Sequence, residues 1–264
     1  MQRRQFLISL GAFAALSLSA RADENELTIG IYPGTGKADI PEHEFLAAAK
    51  PFARALGASL GVDARLVLFR SIRNTLRSLE KGRLDLYFVP PTVAVSVLDN
   101  NYSPVARVRD QANGTLVRRT GATVTTVALT EKESWLDVMG RYTLKRNKQN
   151  VTLMNLKTQE EVALAMKRGL CEAGSLRSKL ASELTATGEY ENWLPLPNTP
   201  DFTLMASDRL TQPEQDKLGV AASTLGEDVI KSLQKTIHSK VTGFVIDKNA
   251  DYKTIKAAMA DYQE

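Results

Sequence analysis

Two stretches of the chain can be laid over one another without a gap. Residues 66–86, Leu-Val-Leu-Phe-Arg-Ser-Ile-Arg-Asn-Thr-Leu-Arg-Ser-Leu-Glu-Lys-Gly-Arg-Leu-Asp-Leu, fall on residues 153–173, Leu-Met-Asn-Leu-Lys-Thr-Gln-Glu-Glu-Val-Ala-Leu-Ala-Met-Lys-Arg-Gly-Leu-Cys-Glu-Ala. Arg70-Ser71 meets Lys157-Thr158, Lys81-Gly82 meets Arg168-Gly169, and Asp85 meets Glu172. Each copy reads as a strand, a basic residue beside a helix-capping hydroxyl, an amphipathic helix, a glycine stop and a strand with an acidic entry. Any two βαβ units share part of this grammar. The coincidence of cap, stop and acid at one offset points to two similar α/β lobes.

The flanking sequence extends the pattern. Asn25 to Tyr32 alternates apolar and polar residues and is β-prone, and Pro33-Gly34-Thr35-Gly36 stops it. From Glu44 to Leu60 alanine, leucine and phenylalanine recur at helical spacing, with Pro51 either opening the regular part or kinking it. Val62–Phe69 reads as a strand, Ser71 caps a helix running to Lys81, and Leu84–Val89 is a third strand closed by Pro90-Pro91, with Thr92 opening another helix. This βαβαβ rhythm implies a parallel sheet covered by helices. The expected fold class is α/β, with two lobes joined by two crossing segments: residues 23–112 and 204–264 form lobe one, and residues 113–203 form lobe two.

Residues 1–22 have the layout of a secretory signal peptide, with a basic start, an apolar stretch from Phe6 to Leu18 and Ala20-Arg21-Ala22 at the cleavage site. The apolar stretch falls short of the roughly 20 residues needed to span a bilayer. Arg3-Arg4-Gln5-Phe6-Leu7 fits a twin-arginine signal, and a Sec signal with two arginines is the alternative. Either route places the mature chain in the periplasm. The 264-residue chain carries a net charge of +4, but losing Arg3, Arg4 and Arg21 leaves 31 basic against 30 acidic residues. The apparent basicity belongs largely to the leader, so nucleic acid and acidic membrane surfaces are not expected partners. The single cysteine, Cys171, cannot form an intramolecular disulfide, so an exported chain of this kind relies on its core.

The strand at Leu27–Tyr32, Lys81-Gly82-Arg83-Leu84-Asp85-Leu86 after its helix, Pro90-Pro91-Thr92, Tyr102-Ser103-Pro104-Val105-Ala106 and the ending Gly243-Phe244-Val245-Ile246-Asp247 with Asp251-Tyr252 resemble periplasmic solute-binding proteins of ABC transporters, of the phosphate, phosphite or phosphonate type. The resemblance spans essentially the whole mature chain. It implies a type II periplasmic binding protein fold whose lobes close like a hinge on a small oxyanion and deliver it to an inner-membrane ABC permease. The alternative for this chain is a ligand-binding accessory of a periplasmic sensor with the same fold, followed by an enzyme on the same scaffold, against which the sparse histidines and lone cysteine argue. The chain departs from the family pattern in two places. Thr130-Glu131-Lys132-Glu133-Ser134 replaces a Ser/Thr-rich stretch with glycine, and Thr158-Gln159 stands where phosphonate binders tend to carry a histidine.

In a two-lobed α/β protein the cleft faces the C-terminal ends of strands and the N-termini of the following helices, where unpaired N–H groups suit an anion. The candidate ligand-binding residues are therefore Tyr32, Arg70, Ser71, Pro91 and Thr92 in lobe one and Thr130, Lys157, Thr158 and Ser175 in lobe two. Ser71, Thr130 and Thr158 read equally as plain helix caps. Trp135 and Trp193 fit either core or cleft. The inventory for catalysis is thin: His43 lies between Glu42 and Glu44, whose side chains diverge on a helix, His238 is distant in sequence, and Cys171 lacks a basic neighbour. No catalytic residue, metal or cofactor is expected.

Overall fold

The computed structural model describes residues 26–37, 39–237 and 239–263; the leader assigned to residues 1–22, together with His238, lies outside them. The chain opens with β1 (Glu26–Ile31), α1 (Glu42–Leu60), β2 (Asp63–Leu68), α2 (Ile72–Glu80), β3 (Leu86–Val89), α3 (Pro91–Leu98) and β4 (Tyr102–Val108). It then crosses through β5 (Gln111–Ala112) into β6 (Gly114–Arg119), β7 (Thr126–Leu129), α4 (Trp135–Arg146), β8 (Thr152–Asn155), α5 (Gln159–Lys167), β9 (Ala173–Arg177), α6 (Ser178–Thr185) and β10 (Tyr190–Pro195). It returns through β11 (Thr199–Pro200) to β12 (Thr203–Ser207), α7 (Gln212–Ser223), α8 (Glu227–Gln234), β13 (Phe244–Val245) and α9 (Lys253–Gln263).

Two sheets result, ordered β13-β4-β12-β3-β1-β2 and β10-β6-β9-β7-β8. In each, three parallel strands are joined by right-sized helical crossovers, and the next strand runs antiparallel. Apart from the extra edge strand β13, the two sheets therefore share one strand order, as the sequence echo implies. Strand alternation explains the layering. In β1 and β3, Leu27, Ile29, Ile31, Leu86 and Phe88 point to one core with Phe45, Phe52 and Phe244, while Tyr87 and Val89 point to another with Tyr102, Met205 and Ile255. Helices cover both faces, so the parallel strands are apolar on both sides.

The acidic entries found in the echo are structural clamps. Asp85, 6% exposed, accepts the Thr28 backbone N–H at 2.9 Å and its hydroxyl at 2.7 Å. Glu172 accepts the N–H groups of Thr125 and Thr126 at 3.1 and 2.8 Å and the Thr125 hydroxyl at 3.0 Å. Each carboxylate ties the start of a third strand to the start of its central neighbour.

Between the sheets β5 and β11 form a two-stranded ribbon. Because β4 pairs with β12, β5 with β11 and β6 with β10, one long antiparallel ladder runs through both lobes and is bare of other strands only at β5 and β11. Thr203 is already the first residue of a strand in the first sheet. The C-terminal helix α9 adds a further link: Ile255 packs in the first lobe and Ala258 in the second, while Lys256 pairs with Asp99 and Lys145 with Asp261. α1 passes through Pro51 without ending. Among the described residues no helix is long and apolar enough to cross a membrane.

Candidate ligand-binding site

β1, β3, β7 and β9 all end at the interlobe cleft, and residues at and beyond their ends line a half-open chamber of about 40 Å³. That is room for about three waters, or one small polyatomic anion. Lobe one supplies Tyr32, Thr35, Pro90 and Thr92, and lobe two supplies Thr130, Ser134, Trp135 and Arg177. Tyr32 and Thr130 occupy equivalent places, each the first residue beyond the central strand of its sheet.

Two helices aim their N-termini at this space. α3 is preceded by Pro90, which offers no capping side chain, and Pro91 has no N–H. The first available donor is the Thr92 N–H, beside a Thr92 hydroxyl that is buried without a hydrogen-bond partner. α4 is capped by Ser134, whose Oγ accepts the Asp137 N–H at 3.4 Å and lies 2.6 Å from Thr130 Oγ1. The N–H groups of Trp135 and Leu136, both in the lining, have no intrahelical acceptor. Tyr32 completes the set, for its Oη is also buried without a partner. Burial, reinforced by the charge of Glu131, pushes the Tyr32 phenol far above the usual tyrosine range, so it remains a neutral donor.

The loop from Thr130 to Ser134 is held from beneath. Asn155 Nδ2 donates to the Thr130 carbonyl at 2.6 Å and to Asp137 Oδ1 at 2.8 Å. Asp137, fully buried, also accepts the Glu133 N–H at 3.0 Å and Arg141 Nε at 2.9 Å. Glu133 adopts φ 66°, a left-handed turn that this network maintains. Neither Glu131 nor Glu133 is in the lining; Glu131 is half-buried beside Tyr32 at its edge, where burial pushes its carboxyl up and Lys157 pulls it back.

Among the described residues of the lining Arg177 alone is charged. Its Nη1 and Nη2 donate to the two carboxylate oxygens of Asp201 at 3.2 and 3.4 Å, and the guanidinium lies 4.5 Å from the centre of the Trp135 ring. Asp201, 4% exposed at its side chain, further accepts the Phe202 N–H at 3.0 Å and Ser239 Oγ at 3.1 Å. The pair therefore joins lobe two to the crossing segment and to lobe one.

The sequence profile of the family described as ABC transporter, phosphonate, periplasmic substrate-binding protein matches residues 38–252. The chain belongs to this family. The fold agrees. A Xanthomonas citri protein bound to ATP superposes with a TM-score of 0.71 at 13% identity, covering 90% of this chain and 97% of its own. PhnD1 from Prochlorococcus marinus in complex with methylphosphonate gives 0.67 at 13% identity, covering 90% and 98%. The periplasmic aliphatic sulphonate-binding protein SsuA from Escherichia coli gives 0.60 at 14% identity, covering 91% and 93%. No curated protein matches the chain.

In this phosphonate-family protein three of the sequence-derived candidates, Tyr32, Thr92 and Thr130, meet in the chamber. Pro91 is buried as the first residue of α3, with its neighbour Pro90 in the lining. The remaining five lie outside the lining. Ser71 and Thr158 act as helix caps, accepting the Asn74 and Glu161 N–H groups at 3.2 Å each. Ser175 is buried and donates to the Leu136 carbonyl at 2.9 Å, supporting α4 from below. Arg70 is exposed and donates to the Ile40 carbonyl at 3.0 Å, and Lys157 pairs with Asp39 across the lobes. Ser134, Arg177, Phe202 and Ser239 were not among the candidates, and Trp135 takes the cleft alternative. The echo itself carries a signal for Arg177: extended by four residues, it sets Arg177 on Pro90, and both residues are N-caps. Cys171 is 2% exposed and burial pushes its thiol up to about 11, which removes it from nucleophilic roles at neutral pH. No group of three or more metal-ligating side chains occurs among the described residues.

Proposed function

We propose that this protein is the periplasmic capture component of an ABC importer for a small tetrahedral oxyanion of the phosphonate or sulfonate class, bound between the lobes and released unchanged. The observation that carries this reading is the pair of buried, unpartnered hydroxyls, Tyr32 Oη and Thr92 Oγ1, lining one chamber with the N-termini of α3 and α4. An unmade hydrogen bond at a buried hydroxyl costs about 1–3 kcal/mol, so two in one small space mark a place where a ligand completes the structure. Helix N-termini favour a negative ligand. Family membership and the neighbours bound to methylphosphonate or described as sulphonate-binding support the ligand class. Closure of the lobes about β5 and β11 then buries the anion, and the family's permease is the recipient.

The test is a thermal-shift screen with methylphosphonate, inorganic phosphate and methanesulfonate. A ligand present at a hundredfold excess over its Kd stabilises the native state by about 2.7 kcal/mol. Tyr32→Phe and Thr92→Val keep the fold and each weaken binding by about tenfold, the loss of one hydrogen bond to a charged group. If none of the three anions moves the melting temperature, the reading fails.

A further inference from the structure

Among the described residues lining the chamber Arg177 alone is charged, and Asp201 holds its guanidinium through both carboxylate oxygens. We propose that Asp201 is a specificity-determining residue: by cancelling Arg177 it leaves the chamber without a net cationic side chain, so the protein selects the singly charged form of its oxyanion over the doubly charged form. The inference rests on the oxyanion reading above and adds the charge state.

The remaining donors are neutral. They are the hydroxyls of Tyr32, Thr35, Thr92, Thr130, Ser134 and Ser239, the last donating to Asp201, and the N–H groups of two helix starts. Each helix N-terminus is equivalent to roughly half a positive charge, so two together match one negative charge. A second negative charge on the ligand finds no counterpart in a space walled by Ile72, Trp135, Leu136 and Phe202. Glu131 at the edge, beside Tyr32, works against a dianion as well; the charges around it are Lys157, Glu133 and Asp39. Asp201 is well placed to keep Arg177 neutralised in both ligand states, because Phe202 N–H and Ser239 Oγ also hold its carboxylate, Ser239 Oγ at the same time accepting from Arg177 Nη2 at 3.4 Å.

The experiment is calorimetric titration of the mature protein between about pH 5.5 and about pH 8.5 with two probes of similar shape. Methylphosphonate loses its second proton within this range, whereas methanesulfonate carries one charge throughout. The sulfonate reports any titration of the protein itself, Glu131 included, and the difference between the probes reports the ligand's charge. If only the monoanion binds, methylphosphonate affinity relative to methanesulfonate falls about tenfold per pH unit above the second ionisation, because the competent fraction shrinks by that factor. Asp201→Asn removes this slope, and the neutral double variant Arg177→Gln with Asp201→Asn restores it. A flat or rising methylphosphonate affinity in the unmodified protein overturns the proposal, as does an Asp201→Asn protein that keeps the slope. Should Asp201→Asn fail to fold, the unmodified protein's relative slope decides by itself. Tight methanesulfonate binding with a flat methylphosphonate profile overturns only the charge selection; no binding of either probe at any pH overturns the oxyanion reading and the selection with it.

Discussion

The two lobes carry the same strand order but place their small residues differently, and the difference governs how their helices sit. In the ladders Gly30 pairs with Tyr87 in lobe one, and Ala128 with Gly174 in lobe two. These are equivalent positions. In lobe one the glycine lies on the central strand, where a Cβ would come within 2.7 Å of Leu84 and Phe69, and Tyr87 stands out from β3 to donate to Ser78 at 3.0 Å. In lobe two the glycine lies on the third strand, and α5 settles directly on it, so that a Cβ would come within 2.4 Å of Val162. One architecture thus tolerates a bulky spacer under one helix and demands a bare backbone under its counterpart. The carboxylate clamps differ in a parallel way. Asp85 is buried and also faces Arg209 at 3.3 Å, whereas Glu172 is half-buried and holds only threonine donors.

The largest expected effect is at the buried clamp. Asp85→Ala leaves the Thr28 N–H and hydroxyl without their acceptor, removes the ion-pair partner of Arg209, and lowers unfolding free energy by about 3 kcal/mol, measurable by urea denaturation. Gly174→Ala follows at about 2 kcal/mol, because the new methyl also meets Met166 Sδ at 2.8 Å and α5 must lift from the sheet. The smallest effect is at the half-buried clamp: Glu172→Gln costs under about 1 kcal/mol at pH 7. The Thr126 and Thr125 N–H groups hold the Glu172 carboxyl below the usual range, so the native state binds its proton less readily than the unfolded chain. Its contribution is complete above the ordinary carboxylate range and is lost as pH falls through the lowered value. The variant and the unmodified protein therefore converge in stability in acid. Equal losses at Asp85 and Glu172 would break the contrast between the lobes.

Much of the fold was legible because repetition exposes itself. The overlay of 66–86 on 153–173 located the caps Ser71 and Thr158, the left-handed stops Gly82 and Gly169, with φ 56° and 71°, and the clamps Asp85 and Glu172. Tyr32, Thr92 and Thr130 were legible because strand ends and helix starts are local signals. What a sequence pattern does not carry is direction. Arg70 and Lys157 stand beside true caps, yet both side chains run along the surface to partners in the Ile40 and Asp39 loop. Arg177 escaped for the opposite reason. Its importance arises from Asp201 and Ser239, which lie 24 and 62 positions away and meet it only after the chain has crossed between the lobes and returned.

The ladder that passes through both lobes also limits how they can move. Its register is pinned at Leu204 against Ala106 on one side of the crossing and at Tyr190 against Arg119 on the other. Sliding one lobe past the other would break hydrogen bonds along the whole length, whereas flexing at β5 and β11 breaks few or none. The two crossings thus behave as a single leaf spring that bends and twists but does not shear. The four residues Gln111, Ala112, Thr199 and Pro200 form its unsupported span, and α9 is the further link that any bending must accommodate.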